Sequence, residues 1–169
     1  MRATQMDIFS RLMMERIIWL SGPVMDITAQ VLQAQIMYLD TINDDDITLH
    51  IDSPGGSVKA GLGIVDVMEY VKCDIRTLNT GMAASMGSVL LGVGTKGKRS
   101  SLRYSKTMLH QSSGGAVGNI QDARITMDEW EKTNKILFEN LGKACVKTAK
   151  RVEKVAQIEL WIDAKKSVD

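Results

Sequence analysis

The sequence predicts an α/β domain whose strands are joined by right-handed helical crossovers. Short apolar or alternating runs end in turns, and each is followed by a segment with helical spacing. This strand–turn–helix unit recurs at about 25–30 residues, the pattern of a layered α/β fold. Two prolines among 169 residues, and no low-complexity tract, argue against a long disordered linker.

The elements follow in order. Arg16-Ile-Ile-Trp-Leu-Ser-Gly22 reads as a short buried strand ending at a glycine turn. Asp26 can cap a helix over 27–40, where Ile27, Val31, Ile36 and Leu39 recur at helical spacing. Asn43-Asp-Asp-Asp46 is a turn. Asp46-Ile-Thr-Leu-His-Ile-Asp52 alternates apolar and polar residues, as a half-buried strand does. Ser53-Pro-Gly-Gly56 breaks it, and a helix follows over about 57–71. Cys73 to Thr80 is a strand, a helix starts near Ala84, and Lys106 to His110 is a further strand. A long amphipathic helix runs from about Gln121 to Asn140, with Ile125, Trp130, Ile136, Leu137 and Leu141 near one face. A last helix covers about 145–157.

At 169 residues the chain forms one domain with a substantial core. Its net charge of +1 implies no general affinity for nucleic acid or anionic membrane. No run approaches the roughly 18 apolar residues of a membrane span, and the N-terminus lacks the apolar core of a secretory signal. A cytoplasmic location follows as the expectation. Cys73 and Cys145 fit no metal spacing and read as buried or half-buried thiols. Most of the 11 methionines read as core filler.

Two strand-to-helix turns are glycine-rich or small: Ser53-Pro-Gly-Gly56 and Gly81-Met-Ala-Ala-Ser-Met-Gly87. In such folds ligands sit at the carboxyl ends of strands. If Ser85 opens a helix, its hydroxyl lies near unpaired N–H groups, and the N–H of Met86 points where an oxyanion forms. Gly56 lacks a Cβ, so another backbone can approach it and its N–H is free to donate. A hydroxyl needs a base, and the sequence holds two histidines, His50 and His110. His50 is opposite in phase to Ile47, Leu49 and Ile51, as an outward-facing residue would be. His110 ends a strand beside the flexible Gln111-Ser-Ser-Gly-Gly115, where its ring can turn into a cleft. On spacing alone, the small-residue run around Ser85 fits tight helix packing as well as hydroxyl presentation.

The segments Phe9–Leu20, Ile51–Val58, Gly81–Gly87, Gly94–Arg99 and Met108–Gln111 with Gly114-Gly115 resemble the proteolytic subunits of the Clp protease, the ClpP family. Trp161-Ile-Asp-Ala164 resembles that family's C-terminal element. The resemblance implies a crotonase-like fold of repeated ββα units carrying a helical handle. The handle would span about 112–142, and the head about 1–111 and 143–169. It implies heptameric rings of identical subunits, stacked in pairs around a chamber. An AAA+ unfoldase such as ClpX, ClpA or ClpC feeds unfolded protein substrates into it. The implied nucleophile is Ser85, the general base His110, and the oxyanion donors the N–H groups of Gly56 and Met86. Substrate-binding positions fall on Ser57 and Val58 and on Ser113, Gly114 and Gly115, which would hold a peptide by β-augmentation.

The family's third catalytic residue, an aspartate, falls on Glu159, counted from the Trp161–Ala164 anchor. Asp163, four residues later, is the rival acid. Glutamate orients imidazole in other hydrolases, but it is one methylene longer. Ile158 stands where the family has a ring-bridging arginine, Arg124 where it has an acid, and Ser112 where it has a proline. A hydrophobic dock for the unfoldase would involve Trp19, Thr48, His50 and Tyr70. Two alternatives follow: a weakly active structural subunit of a mixed ring, because of Glu159, and an acyl-CoA enzyme of the same superfold. No metal or organic cofactor is implied, and ATP belongs to the partner, since no Gly-x-x-x-x-Gly-Lys-Ser/Thr loop occurs.

Overall fold

The computed structural model of the chain describes residues 6–111, 118–145 and 147–167. Along the chain come α1 (Ile8–Met14), β1 (Ile17–Ser21), α2 (Asp26–Asp40), β2 (Ile47–Ser53), α3 (Val58–Tyr70), β3 (Ile75–Ala84) and α4 (Met86–Gly92). They are followed by β4 (Arg99–Ser101), β5 (Lys106–Leu109), α5 (Ile120–Ala144), α6 (Ala149–Val155), β6 (Leu160–Asp163) and α7 (Ala164–Ser167). The strands form one sheet in the order β1-β2-β3-β5-β6, with β4 beside β3. All pairs are parallel except β5 with β6. The predicted α/β architecture is the one found.

Alternation in β2 sends Ile47, Leu49 and Ile51 to one face, where each is fully buried. Parallel pairing puts Ile18 and Leu20 of β1 and Ile75 of β3 on that same face. Ala29, Leu32, Ile36 and Leu39 of α2 and Ile64, Val65 and Met68 of α3 complete the core there. The buried stripe of α2 is rotated from the predicted one: Ile27 and Val31 are exposed, and Ala29 and Leu32 take their place. Its start also differs, because Met25 occupies the cap position and its N–H bonds Thr28 Oγ1, leaving Asp26 as the first helical residue. Helix α1 was not anticipated, although Asp7 caps it through the N–H groups of Phe9 and Ser10.

His50 is half-buried, and its ring centroid lies 4.6 Å from that of Trp19. The outward face of β2 is therefore partly covered at this point, because the Trp19 ring on β1 lies against His50 at a tilt of 58°. Of the two thiols, Cys73 is buried and Cys145 is exposed.

Helix α5 is capped by Asn119, whose side chain accepts from the N–H groups of Gln121 and Asp122. Its buried residues are Leu137, Phe138, Leu141 and Gly142, all in its last third. Ile125, Trp130 and Ile136, expected on its inner face, are exposed, so the buried stripe of α5 is shorter and narrower than predicted. Among the described residues no helix is long and apolar enough to cross a membrane.

Candidate active site

Ser85 stands between the end of β3 and the start of α4, with φ 53° and ψ −121°. A positive φ strains any residue that carries a Cβ, at a cost of about 1–3 kcal/mol. The surroundings hold it there. The Ser85 N–H donates to Met108 O of β5 at 2.9 Å. Its carbonyl accepts the Ser88 N–H at 3.0 Å and the Ser88 hydroxyl at 2.6 Å. This sharp strand-to-helix turn pushes the side chain out of the sheet, as a nucleophile elbow does.

Parallel pairing of Met82, Ala83 and Ala84 with Lys106, Thr107 and Met108 brings the end of β5 alongside. His110 follows β5, and its Nε2 lies 2.9 Å from Ser85 Oγ. That is the reach a general base needs: a neutral imidazole with its proton on Nδ1 accepts the serine hydroxyl at Nε2.

The Ser53–Gly56 turn closes the other side. A Cβ on Gly55 would lie 2.6 Å from both Ala84 O and Ser85 Cβ and 2.8 Å from Met86 N. Glycine at 55 is thus what lets this turn back directly onto the serine. Sequence reading singled out Gly56 and passed over Gly55, although two glycines in succession signal two separate close approaches. Gly56, at φ 148°, bridges to Val24, whose carbonyl would sit 2.3 Å from any Cβ there. Met86 is the first residue of α4, so its N–H has no partner within the helix. Among the described residues neither the Gly56 N–H nor the Met86 N–H donates to a backbone carbonyl.

A cavity of about 30 Å³ opens beside Ser85 and His110. Val58, Met86, Val89 and Leu109 line it from the body, and Asn134, Leu137 and Phe138 from α5. Val58 was expected at the site, whereas Asn134 and Phe138 were not, since nothing in the sequence says where α5 crosses the body. Ser57 caps α3, its hydroxyl accepting the Ala60 N–H at 3.2 Å and its own N–H donating to Val24 O at 2.8 Å. Ser57 thus has its backbone donor occupied. The expected positions Ser113, Gly114 and Gly115 lie outside the described residues.

Glu159 is exposed. Leu109 pairs with Leu160, so the antiparallel register carried one step further sets Glu159 across from His110. No hydrogen bond joins the two. The Glu159 carboxylate instead accepts the Trp161 indole N–H at 3.4 Å. Asp163 pairs with Lys106, four residues from His110 along β5, and caps α7 through the Lys166 N–H. Among the described residues no cluster of three His, Cys, Asp or Glu could hold a metal ion.

The chain matches the family model described as Clp protease over residues 1–169. It is 45% identical over 170 residues to an ATP-dependent Clp protease proteolytic subunit of Porphyromonas gingivalis, covering 100% of this chain and 77% of that protein. A Bacteroides fragilis protein of the same name is 53% identical over 139 residues, 82% of this chain and 67% of the relative. For the Bacteroides thetaiotaomicron protein of that name the identity is 52% over 139 residues, 82% of this chain and 63% of the relative.

Proposed function

The chain belongs to the Clp protease family, and we propose that it hydrolyses unfolded polypeptides with Ser85 as nucleophile and His110 as general base. It is a serine-type peptidase, the proteolytic subunit of an ATP-dependent Clp protease. The observation that carries the residue assignment is the 2.9 Å approach of His110 Nε2 to a serine hydroxyl held at φ 53°.

The steps follow from that geometry. A peptide lies extended against Ser57 and Val58 on one side and residues 113–115 on the other. The side chain before the scissile bond enters the apolar cavity under α5. Ser85 Oγ attacks the carbonyl carbon as its proton passes to His110 Nε2. The N–H groups of Gly56 and Met86 receive the negative charge that develops on the carbonyl oxygen. His110 returns the proton to the leaving amine, and the acyl group stays on Ser85. Water, deprotonated by His110, attacks the ester and frees the serine.

Glu159 is the acid of the set in this reading. The β5–β6 register supports it, and its carboxylate must leave Trp161 to reach His110 Nδ1. Residues of about 112–142 are the handle in this reading, through which heptameric rings of this chain stack in pairs. An AAA+ unfoldase delivers the substrates, a reading supported by the ATP-dependent naming of the relatives, and the cytoplasm is the location this reading assigns.

A fluorophosphonate probe should label the protein at Ser85, and Ser85→Ala should lose both labelling and peptide hydrolysis. An assembled, folded protein that stays unlabelled would overturn the assignment.

A further inference from the structure

Asn79 is fully buried on β3, and the mechanism above does not use it. It stands where β3 changes neighbour. Thr77, Leu78 and Asn79 pair with Arg99, Ser100 and Ser101 of β4, and Met82, Ala83 and Ala84 pair with β5. Thr80 and Gly81 pair with neither β4 nor β5. A fork of this kind leaves backbone groups without a ladder partner, which is costly inside a protein.

The Asn79 side chain fills the fork. Its Nδ2 donates to Lys106 O at 2.9 Å and to Thr107 Oγ1 at 3.3 Å. Its Oδ1 accepts the Gly81 N–H at 3.2 Å. A carbonyl on one side and an N–H on the other fix the amide in one orientation. Thr107 Oγ1 also accepts the Ser167 hydroxyl at 3.2 Å, which extends the linkage to α7.

The two strands that Asn79 joins are the two that carry the reactive pair. Ser85 follows Ala84 of β3, and His110 follows Leu109 of β5. These strands pair over three residues, and the Ser85 N–H bond to Met108 O is the one further backbone tie beyond them. We propose that Asn79 is a positioning residue for peptide hydrolysis, setting β5 against β3 so that His110 reaches Ser85. The proposal rests on the reading of Ser85 and His110 given above.

The test uses Asn79→Ala in the full assembled chain. Turnover of a short fluorogenic peptide should fall about ten- to a hundredfold in kcat, with KM within about twofold. The chain has two histidines, so ¹⁵N-histidine labelling gives signals from two imidazoles. The His110 signal should move toward its position in Ser85→Ala while that of His50 stays. The control is Thr77→Val. Thr77 is equally buried on the same face, but its hydroxyl donates to Leu91 O at 2.8 Å, away from the fork. It should lose stability while keeping kcat within about twofold.

A folded Asn79→Ala with native kcat and an unmoved His110 signal would overturn the role, as would an equal kcat loss in Thr77→Val at equal loss of stability. Should Asn79→Ala not fold, Thr107→Val is read in its place. A two- to fivefold lower kcat, roughly what one lost hydrogen bond gives, supports the role, and an unchanged kcat overturns it. Hydrolysis that survives Ser85→Ala overturns the reading of the site itself. A dead Ser85→Ala beside a normal Asn79→Ala removes only the positioning role.

Discussion

Replacing Gly55 by alanine tests whether the turn behind Ser85 sets its position. The added methyl would sit 2.6 Å from Ala84 O and Ser85 Cβ and 2.8 Å from Met86 N, where ordinary contact begins near 3.4 Å. To relieve this, two contacts must open by about 0.8 Å and one by about 0.6 Å. The atoms involved are backbone or the serine itself, so no flexible side chain can absorb the movement. A displacement approaching 1 Å at reacting groups costs about a hundredfold, near 2.7 kcal/mol of barrier. We expect kcat on a short fluorogenic peptide to fall about thirty- to a hundredfold. Gly22→Ala isolates the backbone effect, since Gly22 has φ +82° against +88° at Gly55, but nothing lies within 4 Å of its would-be Cβ. Both variants carry the left-handed penalty of about 1–2 kcal/mol, visible as a lowered Tm. Only Gly55→Ala should lose turnover. If folded Gly55→Ala keeps kcat within about threefold of Gly22→Ala, the contact does not reach the serine and the reasoning fails.

Trp161→Phe removes the donor that holds the Glu159 carboxylate; kcat should rise about two- to tenfold, the worth of one hydrogen bond, and Glu159→Gln should cancel the gain. No rise would take Glu159 out of the mechanism. The Asp46 carboxyl is held below its usual range, first by its hydrogen bond from Lys98, at 2.7 Å, against the cost of its own desolvation. A lowered native value stabilises the fold above the ordinary carboxylate range, and this is lost as pH falls through the lowered value. Asp46→Asn should therefore lower Tm near about pH 7, and the variant and native Tm curves should converge as pH falls below the ordinary carboxylate range. Parallel curves would contradict the ion pair.

The strands were legible because alternation in Ile47–Ile51 is a one-strand property that pairing merely uses. The strand predicted at 73–80 ran on to Ala84, since small residues carry no period, and only β2 and β5 alongside show that they are paired. β4 was missed because three residues of Arg-Ser-Ser hold no pattern at all. On α5 the period was readable but its burial was not, because Ile125 and Leu137 look alike until a body is present to cover one of them. Ser85, His110 and Gly56 could be picked as residue types at turn positions. Their convergence needs the parallel neighbour relation of β3 and β5, which spans 25 residues of chain between serine and histidine. Asn79 and Gly55 were invisible for the same reason, since each acts on a strand or turn that is remote in sequence.

Glycine reaches the backbone angles of Ser85 without a Cβ to clash, so Ser85→Gly should raise stability by roughly 1 kcal/mol. Change to glycine at this position therefore runs downhill toward a sturdier and inert subunit. A lineage that no longer needed the hydroxyl would have nothing to hold it against that slope, and a gene copy under relaxed demand would drift from enzyme to scaffold by gaining stability rather than by decaying.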